Sequence, residues 1–157
     1  MVVFVKIATV ALMTLAGLAV LTPTQANAGT TNKVFGCSLG KKFVSITAVG
    51  NTLTYQFGTP GKAEMTIIGS AERGNVFYRS DRYAGMEYQL RFTNGGYSYI
   101  VYSMEGNGRT GTNAVSGLVV MKGSNRIADK SCVRHAEFGI TFDLTEIPED
   151  TEAYSAM

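Results

Sequence analysis

The chain reads as all-β, a small antiparallel barrel or two-sheet sandwich of about eight strands, and three observations predict it. Apolar and polar residues alternate along most of the chain after residue 28, and helical spacing is almost absent. Turn-forming Gly and Asn recur at roughly ten-residue intervals, the rhythm of short antiparallel strands. Two cysteines, Cys37 and Cys132, stand near the two ends of this patterned region.

Residues 1–28 read as an export signal rather than as part of the fold. Lys6 supplies a positive start, an apolar run extends from Ile7 to about Leu21, Pro23 ends it, and Ala26-Asn27-Ala28 is a small-x-small cleavage site before Gly29. The run holds roughly 15 apolar or small residues, short of the ~20 that a membrane span needs. Cleavage and release are therefore expected, without a stable membrane anchor. No Cys follows the run to take a lipid. The expected location is periplasmic or secreted, in a bacterium.

The hairpin arithmetic then places the strands of a single β domain over residues 29–142. A first strand is expected at Lys33–Ser38. Gly50-Asn51 fits a two-residue turn, and pairing across it sets Ala48 by Leu53, Ile46 by Tyr55 and Val44 by Phe57, all apolar on one face. Ser45, Thr47, Thr54 and Gln56 take the other face. A slip of one residue would destroy that sorting. Further strands are expected at Lys62–Ile68 and Asn75–Ser80.

A second hairpin, turning at Asn94-Gly95, sets Phe92 by Tyr97, Leu90 by Tyr99 and Tyr88 by Val101. Its outer face takes Glu87, Arg91 and Ser98 but also Ile100 and Tyr102, so this strand is expected either to be covered on both sides or to expose an aromatic patch. A third hairpin turns at Gly123-Ser124 between Ala114–Met121 and Asn125–Cys132, and a last strand is expected at Glu137–Phe142.

In an exported chain, two cysteines at these positions argue for a disulfide, closing a loop of about 95 residues. Neither cysteine has metal-ligand spacing around it, and no cofactor or metal is expected. The formal charge of +2 conceals an asymmetry. Residues 29–142 carry thirteen Lys or Arg against seven Asp or Glu, whereas residues 143–157 hold Asp143, Glu146, Glu149, Asp150 and Glu152. This acidic C-terminal tail is expected to be loose and solvated. The alternative is that it folds over a basic groove. No basic run exceeds Lys41-Lys42, so nucleic acid is not an expected partner.

The chemical motifs are sparse, and no enzyme is expected. Gly106-Asn107-Gly108-Arg109-Thr110-Gly111 fits the dinucleotide pattern, but a strand rather than a helix follows it, so the pyrophosphate site is missing. The segment reads as a flexible contact loop carrying Asn107 and Arg109. His135, the only histidine, has no nucleophile set beside it, and the carboxylates before the tail are scattered singly. Six tyrosines, Tyr78 to Tyr102, interleave with Arg79, Arg82 and Arg91. They suit either a barrel core with hydroxyls at its rim or a protein-binding face.

Ala84-Gly85-Met86-Glu87-Tyr88 and Tyr88-Gln89-Leu90-Arg91-Phe92-Thr93-Asn94-Gly95 resemble two motifs of the periplasmic and membrane-bound inhibitors of C-type lysozymes, Ser-Gly-x-x-Tyr and Tyr-x-x-x-Thr-Lys-Gly. Ala84 stands for the Ser. Asn94 stands for the Lys after one extra residue, and the two motifs are fused through Tyr88. The resemblance implies a disulfide-stapled β-barrel that blocks a cell-wall hydrolase. Tyr88, Arg91, Thr93, Asn94, Asn107 and Arg109 would then face the partner, with Arg91 or Arg109 as the base entering its cleft. The alternatives are an immunity protein against a toxin delivered to the periplasm, a structural envelope protein, and a small-ligand carrier with a chamber lined by Ile46, Tyr55 and Leu90.

Overall fold

A computed structural model describes residues 29–82, 85–139 and 143–152 of the chain. The expected export signal, Tyr83, Ala84 and the last five residues lie outside these, as does half of the strand expected over Glu137–Phe142. Nine strands follow one another: β1 (Asn32–Ser38), β2 (Phe43–Val49), β3 (Thr52–Thr59), β4 (Lys62–Gly69), β5 (Val76–Arg82), β6 (Met86–Asn94), β7 (Tyr97–Met104), β8 (Val115–Lys122) and β9 (Asn125–Ser131). They form two antiparallel meanders, β1-β2-β3-β4 and β5-β6-β7-β8-β9. Two sheets of this kind stack their apolar faces to make the core of a sandwich.

The first hairpin has the expected register, with Ala48 opposite Leu53, Ile46 opposite Tyr55 and Val44 opposite Phe57. The second does not. Asn94 pairs with Tyr97, Phe92 with Tyr99, Leu90 with Val101 and Tyr88 with Ser103. The turn residues are Gly95 and Gly96, at φ 58° and 80°, rather than Asn94-Gly95. A twist-matched two-residue turn needs positive φ at both central positions, and a Gly pair supplies this without steric penalty. The shift is two residues, the period of the strand, so every side chain keeps its expected face.

The inner faces merge into one core. Ile46, Leu53 and Tyr55 of the first sheet meet Leu90, Phe92 and Val101 of the second, and all six are fully buried. Tyr55 packs its ring 5.5 Å from Phe92 and 5.6 Å from Tyr99. Where β4 leaves the first sheet, a Cβ on Gly69 would come within 3.0 Å of the Phe92 ring, so the corner needs a residue without a side chain. Ile100, Tyr102, Val119 and Met121 form a second buried cluster on the outer face of the five-stranded sheet. Of the two outcomes expected for that strand, it is therefore the two-sided burial that holds.

Cys37 and Cys132 are bonded, with their Cα atoms 5.7 Å apart across 95 residues of sequence. The disulfide opens a closing segment that joins the two sheets. Cys132 donates its amide to the Ser116 carbonyl of β8, while Val133 and Gly139 donate to the Ser38 and Val34 carbonyls of β1. Residues 137–139 form no strand, contrary to the expectation of one beginning at Glu137, because their backbone serves as this clasp.

The expectation of a loose tail from residue 143 is also corrected, over residues 143–152. The Asp143 carboxylate caps a short 3₁₀ turn, Leu144–Glu146, by accepting from the Thr145 amide at 2.9 Å and its hydroxyl at 2.6 Å. Those hydrogen bonds hold the Asp143 carboxyl below its ordinary range. Ile147, inside the acidic run, is buried in the main core. The chain then lies parallel to β5, the Tyr78 amide donating to the Pro148 carbonyl and the Asp150 amide to the Tyr78 carbonyl. A buried isoleucine and a strand edge with unpaired backbone groups are both satisfied only if the tail docks.

Candidate functional site

The six residues predicted to face a partner do not form one surface. Tyr88 and Asn94 are both on β6, and the six residues of extended chain from one to the other span about 20 Å. Tyr88 lies at the end of the sheet beside the 105–113 loop, whereas Thr93 and the exposed Asn94 lie at the opposite end, by the Gly95-Gly96 turn. The motif resemblance therefore joins residues that the strand separates.

Arg91, placed midway on the outer face, is engaged inside the molecule. Its Nε and one terminal nitrogen donate to the two carboxylate oxygens of Asp150, both at 2.7 Å. Its guanidinium stacks over the Phe77 ring, 4.4 Å from the centroid. Both charged side chains are less than a tenth exposed. This planar, bidentate pairing saturates the fork that a target carboxylate would need. Within the molecule Arg91 anchors the C-terminal strap. Arg79, its neighbour on β5, donates to the Glu152 carbonyl at 3.1 Å and continues the same dock.

Two of the six do come together, in the 105–113 loop. Asn107 exchanges backbone hydrogen bonds with Thr112, 2.9 and 3.1 Å, and its carbonyl also accepts from the Thr110 amide. The Asn107 side-chain oxygen accepts from the Arg109 amide at 2.9 Å, and the Thr110 and Thr112 hydroxyls meet at 2.8 Å. The loop is thus a closed, internally bonded projection, not the flexible segment its glycines suggest. Arg109 sits exposed at its tip, and its guanidinium has no ion-pair partner among the described residues.

Other polar features are structural in placement. Glu87 and Gln89 are buried on the outer face of β6, Gln89 Nε2 donating to Glu87 Oε1 at 2.7 Å. Alternation alone shows that they point outward, not that this face is covered. Tyr55 carries a buried hydroxyl with no partner among the described residues, and its burial, with Tyr99 nearby, raises its pKa far above the ordinary value. His135 is 3.7 Å from Glu137 at the surface. Among the described residues no three His, Cys, Asp or Glu side chains gather as a metal site.

Ile46, Tyr55 and Leu90 are packed solid in the core, so no chamber opens between them. A cavity of about 340 Å³ opens instead at the loop end of the sandwich, lined by Tyr88, Ser103, Glu105, Glu137, Phe138 and Leu144 among others.

No protein-family model matches the chain, and neither a curated protein nor a solved structure similar to it is found.

Proposed function

We propose that this protein is an exported protein-binding module that presents the 105–113 loop, led by Arg109, to the cleft of a carboxylate-using target. Lysozymes and other cell-wall hydrolases are the leading class. The observation that carries the reading is an exposed guanidinium on a loop already closed by its own hydrogen bonds. A loop fixed before binding loses little conformational entropy on docking. A planar guanidinium matches a carboxylate with two parallel hydrogen bonds, and glycoside hydrolases work with paired carboxylates in a cleft.

The export reading supports the same picture. The Cys37–Cys132 disulfide suits an oxidising compartment, and the signal-like residues 1–28 would deliver the chain to the periplasm, where such hydrolases act. The resemblance to lysozyme inhibitors agrees in class but not in detail, because in this chain the loop rather than the β6 motif carries the free base.

The test is inhibition of c-type, g-type and i-type lysozymes by the purified protein with its disulfide intact. Inhibition of at least one class is expected, weakened about 10-fold or more by Arg109→Ala without loss of folding. Failure to inhibit any of the three would remove the inhibitor reading.

A further inference from the structure

The inner face of the five-stranded sheet changes character at its loop end. One row in, Tyr78, Leu90, Val101 and Leu118 stand in register across β5 to β8. The next row is Ser80, Tyr88, Ser103 and Ser116, hydroxyl-bearing on all four strands. Ser116 uses its hydroxyl to accept the Ala136 amide at 2.9 Å. Ser103 is only 2% exposed, yet its hydroxyl has no hydrogen-bond partner among the described residues, and it lines the cavity. A serine hydroxyl that opens on a cavity offers one donor and an acceptor to a polar ligand atom.

The remaining walls define the chemistry. Phe138 and Leu144 supply apolar surface, Tyr88 adds a second ring, and the exposed Glu105 and Glu137 stand at the rim. No Lys or Arg is among the described lining residues. The volume falls at the small end of the range for ligand sites, about 300–1,000 Å³. We propose that this cavity is a binding site for a small organic cation. Its ammonium lies between the rim carboxylates, its apolar stem packs on Phe138 and Leu144, and a second hydrogen-bonding group reaches the Ser103 hydroxyl. Carboxylates and ring faces both attract ammonium, and a serine hydroxyl either donates to or accepts from the far group. This site shares Glu105 with the 105–113 loop but does not use Arg109.

The experiment is an NMR titration of the disulfide-bonded protein with 5-amino-1-pentanol, n-pentylamine, 1-pentanol and glucose. Millimolar binding of the two amines is expected for ligands this small, perturbing the amides of Tyr88, Ser103 and Phe138. The neutral 1-pentanol should bind at least about 5-fold more weakly, and the Glu105→Gln/Glu137→Gln double variant should weaken the amines by a similar factor. Both glutamates are exposed, so this variant should fold as the parent does. Ser103→Ala should abolish the preference for 5-amino-1-pentanol over n-pentylamine. Shifts elsewhere only, equal binding of 1-pentanol, tighter binding of glucose, or amine binding unchanged in the double variant would each overturn the proposal.

Discussion

Two arginines, one on a strand and one on a loop, have opposite fates. Arg91 lies on the outer face of β6, stacked on Phe77 and locked to Asp150 from 59 residues away. Arg109 stands at the tip of a closed loop and is paired with nothing among the described residues. Both appear in the sequence as isolated bases near aromatic or glycine-rich segments. The difference teaches that a base becomes a binding group when the fold leaves it a rigid mount and no partner. It becomes a fastening when a distant carboxylate is brought within reach.

The fastenings of the two regions differ in kind, and breaking each sharpens the contrast. The loop end is held by Cys37–Cys132, whose 95-residue loop gives about 4.7 kcal/mol in the chain-entropy account. The Cys37→Ser/Cys132→Ser double variant should lose about that much in urea denaturation. A change below about 1 kcal/mol would mean that the clasp of residues 132–139 holds the sheets by itself.

The strap region relies on charge. Arg91→Ala should cost about 3 kcal/mol, because it strands the buried Asp150 carboxylate. Replacing both partners with Met and Leu should recover most of that loss. An effect under about 1 kcal/mol for Arg91→Ala would show that the pair is hydrated in solution.

A third buried polar group sets the scale for failure to pair. The Tyr55 hydroxyl has no partner among the described residues, so Tyr55→Phe should stabilise the protein by about 1 kcal/mol. Burial also raises the pKa of Tyr99 and Tyr102, in addition to that of Tyr55. The folded state then holds phenolic protons that the unfolded chain releases near pH 10, so stability is complete below about pH 10 and declines above it. Tyr55→Phe should flatten that alkaline decline in denaturation curves collected from pH 8 to 11. An unchanged slope would place water against the hydroxyl.

The smallest effects belong to the surface. Lys42 and Glu64 form an ion pair with both side chains more than a third exposed, and Glu64→Gln should change stability by no more than about 0.5 kcal/mol. Arg109→Ala should be equally silent in stability while acting on inhibition. If it destabilised the protein as much as Arg91→Ala does, the two arginines would not differ as described.

Much of the architecture was legible because strands and tight turns are local. Alternation and turn spacing placed all nine strands to within a few residues, with one further strand expected from Glu137 that residues 137–139 do not form, and the Gly50-Asn51 turn fixed the first register. The faces of β6 and β7 were also legible, although their register was not. Asn94-Gly95 and Gly95-Gly96 are both acceptable turns by composition, and they differ by two residues, which leaves facing unchanged. The disulfide followed from the number of cysteines and the expected compartment.

What the sequence determined by itself is therefore the class of fold, the inward and outward faces and the pairing of its two cysteines. Each of these depends on residues near one another in the chain or on their number alone. Tertiary structure alone decided that Ile147 belongs to the core, that Asp150 occupies Arg91, and that Ser103 opens on a cavity with Glu105 and Glu137 at its rim. Those outcomes depend on groups far apart in sequence, whose partners are set only when the two sheets and the strap come together.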